Sequence, residues 1–199
     1  SKETVDNSNI KKFIDYISKK YDLEIEKYDE LYKWSIDNIP EFWSNVWDFV
    51  KIIYHKSFEK VVDDLNRFPG AKWFIGAKLN FAENLLRYRD SNLAFIQYNE
   101  KGKICEVSYS ELYNKVSILY DVLKEIITPN DRVACYMPNI IEASVAMLAS
   151  TSLGAIWSSC GTELGYIAVI DRIGQLNPKI LFTVDGYYYR GKFIDILPV

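Results

Sequence analysis

Three short segments carry side chains suited to binding a polar ligand, and each follows a stretch that is typical of a buried β-strand. The segments are Tyr136-Met-Pro-Asn139, Trp157-Ser-Ser-Cys-Gly-Thr-Glu163 and Asp185-Gly-Tyr-Tyr-Tyr-Arg-Gly-Lys192. In open parallel sheets, ligands bind beyond the carboxyl ends of the strands. We therefore expect any binding chemistry of this chain at these three strand ends.

The second and third segments each allow two interpretations. The second combines hydroxyl groups and glycines with the start of a predicted helix, which suits either a cradle for a polar ligand or an ordinary helix cap. The third places Arg190 and Lys192 around flexible Gly191 on a predicted surface loop. Two neighbouring cations suit a phosphate contact, although a solvated basic loop is the more common setting for such residues.

The sequence lacks the motifs of several common enzyme classes. It contains no Gly-x-x-x-x-Gly-Lys-Ser/Thr loop, no Gly-x-Gly-x-x-Gly fingerprint and no Gly-x-Ser-x-Gly nucleophile elbow. His55 is the only histidine, which gives little support for a catalytic triad. Cys105, Cys135 and Cys160 form no Cys-x-x-Cys pair, whereas a zinc site needs about four Cys or His ligands. We therefore predict buried, reduced thiols and assign no catalytic residue and no metal ligand.

The composition is that of a globular chain. Of the 199 residues, 49% are hydrophobic and 26% are charged, which argues against disorder. The net charge of −3 provides no basic field, so we expect no nucleic-acid partner. No run reaches the ~20 apolar residues that a membrane span needs. The sequence starts at Ser1 without a methionine, so we expect that it was cut from a longer product.

The spacing of apolar residues predicts a helical amino-terminal region. Apolar residues recur at helical spacing from Ile10 to Ile17, a second helix is predicted over 26–36, and Pro40 suits the first position of a third. An aromatic stretch punctuated by glycines follows over 71–86.

From residue 93 onwards, strands alternate with helices. A hairpin over 93–107 comes first, Ser110 is a suitable N-cap for the next helix, and Gly154 suits the C-terminal cap of an apolar helix. Buried strands are predicted over 133–136, 155–160 and 179–185. The pattern predicts an α/β fold, in which a helical amino-terminal cap precedes part of a doubly wound, mostly parallel sheet.

Several segments resemble the amino-terminal part of the acetoacetyl-CoA synthetases, a branch of the acyl-adenylate-forming (AMP-binding) superfamily. The similarity covers nearly the whole chain from about residue 10. The run Leu153-Gly-Ala-Ile-Trp-Ser-Ser159 favours this branch over the relatives that activate acetate. The segments that carry the resemblance are Phe42-Trp-Ser-Asn-Val-Trp-Asp-Phe49, Trp73-Phe-Ile-Gly-Ala-Lys-Leu-Asn-Phe-Ala-Glu-Asn-Leu-Leu86, Val133 to Ser159, Asp171-Arg-Ile-Gly-Gln-Leu-Asn-Pro-Lys-Ile-Leu-Phe182 and Asp185 to Lys192.

This resemblance implies the acyl-adenylate-forming fold and a two-step reaction in the cytosol. ATP, with Mg²⁺ bound, and acetoacetate form an acyl-adenylate and pyrophosphate, and coenzyme A then takes the acyl group to give acetoacetyl-CoA. In the family, the ATP phosphate loop, the adenine- and ribose-binding residues and the catalytic lysine lie further along the chain. We therefore expect this chain alone to be inactive, with the remainder of a synthetase as its partner.

The resemblance also implies a contact with coenzyme A. In relatives that activate acetate, a basic residue after the glycine of the third segment contacts a phosphate of coenzyme A. The matching residue here is Lys192, next to Gly191 and Arg190. A second basic position, three residues before it, is occupied by Tyr189 in this chain.

The loop that follows Trp157, Ser158 and Ser159 lies near the acyl and pantetheine region in the family. The usual Ser-Pro-Asp-Phe-Gly of the family is Gly161-Thr-Glu-Leu-Gly165 here. The final glycine, Gly165, is kept and the Ser-Pro pair is lost. The resemblance therefore places these residues in the acyl and pantetheine region.

The resemblance implies two domains. Residues 1–92 would form a helical and aromatic region of the acetyl-CoA-synthetase type, and residues 93–199 would form the first part of the AMP-binding α/β domain. Two alternatives stay open: a truncated, non-catalytic relative that acts as a binding or regulatory module, and an acetyl- or propionyl-CoA synthetase.

Part of an α/β domain leaves an unpaired sheet edge, so we expect poor solubility or association of this chain alone.

Overall fold

The computed structural model describes residues 2–197, which form two compact units that meet in the sequence between Leu79 and Asn80. No helix within this described range is long and apolar enough to cross a membrane. The division of the whole protein into domains at residues 92 and 93 stays a prediction.

The first unit consists of helices followed by a two-stranded antiparallel sheet. The sheet pairs Lys60 with Ile75 and Val62 with Trp73. Its described elements, in chain order, are α1 (Lys2–Asp6), α2 (Asn9–Tyr21), α3 (Tyr28–Asp37), α4 (Ile39–Phe49), β1 (Lys60–Val62) and β2 (Trp73–Ile75). The helical amino-terminal region predicted from the sequence is therefore confirmed.

Helix α4 is buried on two sides. Pro40 is the second residue of α4, one position later in the helix than predicted, and a missing N–H still leaves no hydrogen bond unmade there. Phe49 packs edge-on against Phe13 of α2, with ring centroids 5.0 Å apart. On another side, Trp47 is only 7% exposed and lies 5.0 Å from the ring of Phe74. Aromatic side chains thus pack around the buried core of this unit, which also contains Ile14, Ile17 and Leu31.

The second unit contains the predicted alternation of strands and helices. Its first two strands form an antiparallel hairpin, and three later strands form a parallel sheet. Its described elements are α5 (Phe81–Leu85), β3 (Leu93–Asn99), β4 (Gly102–Ser108), α6 (Tyr109–Leu123), β5 (Arg132–Tyr136), α7 (Ile141–Ser152), β6 (Ile156–Cys160), α8 (Tyr166–Gly174), β7 (Ile180–Thr183), β8 (Gly186–Tyr189) and β9 (Lys192–Asp195).

Strand β5 is the centre of the parallel sheet, which has the order β6-β5-β7. Val133 of β5 is paired with Trp157 of β6 and with Ile180 of β7. Four consecutive residues of β5 are at most 5% exposed, which is typical of a parallel strand covered on both faces. They are Val133, Ala134, Cys135 and Tyr136. The α/β fold and its parallel strands are therefore confirmed.

The ends of two helices show how local sequence sets their length. Ser108, rather than the predicted Ser110, is the N-cap of α6, because its Oγ accepts the Glu111 N–H (3.3 Å) while its own N–H donates to the Glu111 carboxylate (2.8 Å). This reciprocal capping box satisfies two donors at once. Gly154 follows α7 with a φ of 76°, which confirms the predicted left-handed cap.

Asp131 ties together the amino ends of β5 and β7. Its Oδ2 accepts hydrogen bonds from Lys179 Nζ (2.8 Å), from the Thr128 N–H (2.7 Å) and from Thr128 Oγ1 (3.0 Å). The Lys179 bond, followed by those from Thr128, lowers the pKa of the Asp131 carboxyl to about 2. In such folds, ligands bind at the carboxyl ends of the strands. The Asp131 network lies at the opposite edge of the sheet, away from that binding edge.

The low pKa of Asp131 makes this contact sensitive to acid. A carboxyl whose pKa is lower in the folded than in the unfolded chain stabilises the fold above its unfolded value of about 4, and that stabilisation is lost towards pH 2. We expect Asp131→Asn to lower the melting temperature at pH 7 and the difference from wild type to shrink below pH 4. Thermal melts at a series of pH values measure this, and Lys179→Met should reduce the same acid dependence. A difference that stays constant from pH 7 to pH 3 would contradict the assignment.

Candidate functional site

A cavity of about 420 Å³ lies at the carboxyl ends of β5 and β6, where the sequence predicted a binding site. Its walls come from both strand ends and from one side of α7. They combine apolar and polar side chains, which is the usual character of a small-molecule site. The residues that define it include Met137, Asn139, Ser144, Trp157, Ser159 and Glu163.

The alternation of side chains along β6 separates the predicted residues into two sets. Trp157 and Ser159 line the cavity, whereas Ser158 lies between them in the strand and points to the opposite face of the sheet. Gly165 is the N-cap residue of α8, in an extended conformation with φ −72°. The structure therefore brings two of these four residues to the cavity wall.

Two tyrosine hydroxyls hold the loop from Gly161 to Gly165. Tyr136, at the end of β5, donates to the Leu164 carbonyl at 3.0 Å. Tyr187 of β8 donates to the Thr162 carbonyl at 3.3 Å. Burial raises the pKa of the Tyr136 hydroxyl above its ordinary value, which already lies well above neutral pH, so the hydroxyl is protonated and can donate. The loop is thereby fixed to both the central strand and the β8–β9 hairpin.

The side chain of Glu163 lies close over Gly161. A Cβ at position 161 would lie 2.7 Å from the carboxyl carbon of Glu163, so a larger residue there would displace this flexible side chain. The Glu163 side chain therefore folds back over the glycine at the edge of the cavity. Its negative charge would disfavour a second anion at this edge, so the cavity itself suits a neutral or weakly polar ligand group.

The thiols near the cavity are poor nucleophiles at neutral pH. Burial, and secondarily the neighbouring Cys160, raises the pKa of Cys135 to about 11. Burial likewise raises the pKa of Cys160. Since the thiolate is the nucleophilic form, neither thiol is activated. The prediction that all three cysteines are buried is correct only for Cys135, since Cys160 is half-buried and Cys105 is exposed on the hairpin strand β4.

The third predicted segment is a hairpin instead of a flexible loop. Strands β8 and β9 pair Tyr187 with Ile194 and Tyr189 with Lys192, which leaves a two-residue turn. Arg190 has a φ of 51° and Gly191 a φ of 73°, the combination that a tight hairpin turn requires. The run of aromatic and β-branched residues on both sides of this turn favours strand pairing.

The hairpin presents two cations to solvent. The Arg190 guanidinium lies 5.2 Å from the centre of the Tyr189 ring, and the Lys192 side chain makes no hydrogen bond or ion pair with any residue from 2 to 197. Lys192 lies two residues closer to the turn than Ile194, the residue that pairs with Tyr187. This separation along the strand is about 7 Å. Because Tyr187 contacts Thr162, the structure joins the cation-bearing hairpin to the cavity loop.

Glu100 is a residue at this site that sequence reasoning missed. It lies in the turn between β3 and β4, and its carboxylate accepts the backbone N–H of Arg190 and that of Gly191, the latter at 2.7 Å. The sequence marks Glu100 only as part of a turn. Its partners are about 90 residues away in the chain, so no local pattern could have identified the contact.

Within residues 2–197, no group of three or more His, Cys, Asp or Glu side chains is arranged to hold a metal ion. The candidate site therefore combines the cavity, the backbone of its loop and the two hairpin cations.

Two family models match the chain. The model of the acetyl-coenzyme A synthetase N-terminus matches residues 28–85, and that of the AMP-binding enzymes matches residues 81–195, which is more than half of the chain.

Individual proteins give the same result. The chain is 39% identical to an acetoacetyl-CoA synthetase of Danio rerio, over 95% of the chain and 29% of the relative. It is 36% identical to the malonamoyl-CoA synthetase vrtB of Penicillium aethiopicum, over 93% of the chain and 27% of the relative.

Among solved structures, the acetoacetyl-CoA synthetase from Streptomyces lividans superposes with a TM-score of 0.91 and 34% identity, over 98% of this chain and 31% of that one. The chain thus spans about three tenths of the length of the proteins that it matches. Its parallel sheet, its cavity position and its matched residues lead to one conclusion. The chain belongs to the AMP-binding enzyme family.

Proposed function

We propose that the whole protein carrying this chain is an AMP-forming acid–thiol ligase that converts acetoacetate, ATP and coenzyme A into acetoacetyl-CoA, AMP and pyrophosphate. The observation that carries the proposal is the likeness to the Streptomyces lividans acetoacetyl-CoA synthetase, which extends over 98% of this chain at a TM-score of 0.91.

The proposed reaction has two steps. A carboxylate oxygen of acetoacetate attacks the α-phosphorus of ATP, which arrives with Mg²⁺ as part of the substrate, and pyrophosphate leaves. The thiol of coenzyme A then attacks the acyl carbonyl carbon and loses its proton, and AMP departs with the electron pair of the broken bond. Within residues 2–197, we assign coenzyme A binding and no bond-making group.

The two hairpin cations form the proposed phosphate contact. Lys192 is exposed and unpaired among the described residues, and Arg190 lies beside it across Gly191. The 3′-phosphate of coenzyme A is a monoester that carries about two negative charges at neutral pH, as other phosphomonoesters do. Of the phosphates of coenzyme A, it is therefore the one that an exposed pair of cations attracts most strongly.

The cavity at the ends of β5 and β6 suits the neutral pantetheine arm of coenzyme A. Trp157 and Ser159 offer an aromatic surface and a hydroxyl group on its wall. Ser158, on the other face of β6, and Gly165, at the start of α8, would act through the shape of the loop. The protonated thiols of Cys135 and Cys160 leave the thiol of coenzyme A as the nucleophile.

We further propose that residues 1–92 and 93–199 belong to separate domains of the whole protein, and that the rest of a synthetase completes the ATP site. The cytosol is the proposed compartment, as the resemblance to the acetoacetyl-CoA synthetases implies.

The second candidate is a ligase for another small acid. It is favoured by the 36% identity to a protein named malonamoyl-CoA synthetase and by the match to the acetyl-coenzyme A synthetase N-terminus. Both observations indicate that this part of the chain is compatible with several acids.

Pyrophosphate release by the whole protein tests the proposed reaction. With ATP, Mg²⁺ and coenzyme A, we expect acetoacetate to give a kcat/KM at least about tenfold above those for acetate, propionate and malonamate, a difference of ~1.4 kcal/mol in activation free energy. The chain of residues 1–199 is the control, and we expect it to release no pyrophosphate above a blank. Equal rates with all acids would support the second candidate, and a lack of acid-dependent release would contradict both.

Lys192→Ala tests the proposed phosphate contact. We expect the Kd for coenzyme A to rise about tenfold, or ~1.4 kcal/mol, because an exposed charge-assisted contact is lost. The Kd for 3′-dephospho-coenzyme A should stay the same, since that ligand lacks the group that the lysine binds. Isothermal titration calorimetry with both ligands measures this.

Lys103→Ala is the matched control for that experiment, because Lys103 is an exposed lysine whose charge is paired with Glu106 at 3.0 Å. It should leave both Kd values unchanged. An equal loss of affinity for the two ligands in Lys192→Ala would show that the lysine does not contact the 3′-phosphate.

A further inference from the structure

We propose that Glu100 is a positioning residue for coenzyme A: its carboxylate holds the β8–β9 turn in the conformation that directs Arg190 and Lys192 towards the ligand phosphate. This inference rests on the proposed function. It concerns a residue of the β3–β4 hairpin that is distant in sequence from the cations it serves.

The contact is made with both carboxylate oxygens. The N–H of Arg190 donates to Oε1 of Glu100, and the N–H of Gly191 donates to Oε2 at 2.7 Å. Two hydrogen bonds from consecutive amides to one carboxylate fix both peptide planes of the turn. A second contact joins the same two hairpins, because Lys101 Nζ lies 5.2 Å from the centre of the Tyr188 ring.

The turn needs such a support because of Arg190. Both central residues of the turn have positive φ, 51° for Arg190 and 73° for Gly191. Glycine adopts this conformation freely, whereas a residue with a Cβ is strained in it. Arginine is therefore an unfavourable residue at the first turn position, and the Glu100 carboxylate offsets its strain.

Glu100 binds the main chain and leaves the cations available. The Arg190 guanidinium is over the Tyr189 ring, and Lys192 makes no ion pair with residues 2–197. A carboxylate that paired with these side chains would neutralise the phosphate site. Because the charge of Glu100 is directed at the two amides instead, the carboxylate orders the turn and does not occupy the side-chain site.

Coenzyme A binding by the whole protein tests this role, with 3′-dephospho-coenzyme A as the second ligand. For Glu100→Ala we expect a Kd for coenzyme A that is five- to tenfold higher and a Kd for the dephospho ligand that is unchanged. Glu100→Gln keeps the size and one acceptor oxygen, so it should show a smaller increase. It also carries the test if the alanine variant fails to fold, which melting curves would reveal.

Glu106→Gln is the matched control, since it removes the same charge from the same hairpin at a residue that pairs with Lys103. Both Kd values should equal those of wild type. This control separates the contact with the turn from a general change in charge near the ligand.

Two results would overturn the inference, and they differ from failure of the proposed function. If wild type prefers coenzyme A over the dephospho ligand but Glu100→Ala binds as wild type does, Glu100 is not a positioning residue. If Glu100→Ala binds coenzyme A more tightly, the carboxylate competes with the phosphate for the amides. If wild type itself shows no preference between the ligands, the proposed phosphate contact is wrong and the role of Glu100 falls with it.

Discussion

The pairing of β5 with parallel strands on both sides is the constraint on which the second unit depends. Four residues of β5, from Val133 to Tyr136, are almost fully buried, so the strand can occupy only the centre of the sheet. Its register with β6 and β7 then brings the carboxyl ends of three strands to one edge. The cavity, its loop and the approach to the β8–β9 hairpin all lie beyond that edge because the strands run in the same direction.

A small number of polar contacts convert this edge into a defined surface. Tyr136 and Tyr187 hold the carbonyls of the loop from Gly161 to Gly165, and Glu100 holds the amides of the Arg190–Gly191 turn. Each contact joins segments that are far apart in the sequence. The burial of β5 sets where the candidate site lies. The hydrogen bonds of Tyr136, Tyr187 and Glu100 set the orientation of the loop and the turn at that site. Tyr136 takes part in both, because it is buried in β5 and also donates to the loop at Leu164.

The parts of the structure that sequence reasoning predicted correctly are those governed by local periodicity. The buried strand at Val133, the Gly154 cap and the hairpin after Leu93 follow from apolar spacing and backbone preference. The two errors have different origins. Ser110 was predicted as the N-cap although Ser108 and Glu111 form a local capping box, which the sequence could have shown. The turn at Arg190 was predicted to be a flexible loop because its support, Glu100, lies about 90 residues away in the chain.

We propose that coenzyme A binds across the cavity loop and the β8–β9 turn. Hydrogen–deuterium exchange of the whole protein, followed by mass spectrometry with and without saturating coenzyme A, tests this most directly. We expect slower exchange in peptides that cover residues 157–165 and 186–195, and unchanged exchange at the opposite sheet edge around Asp131. Saturation with coenzyme A that leaves both of those peptides unchanged would contradict it.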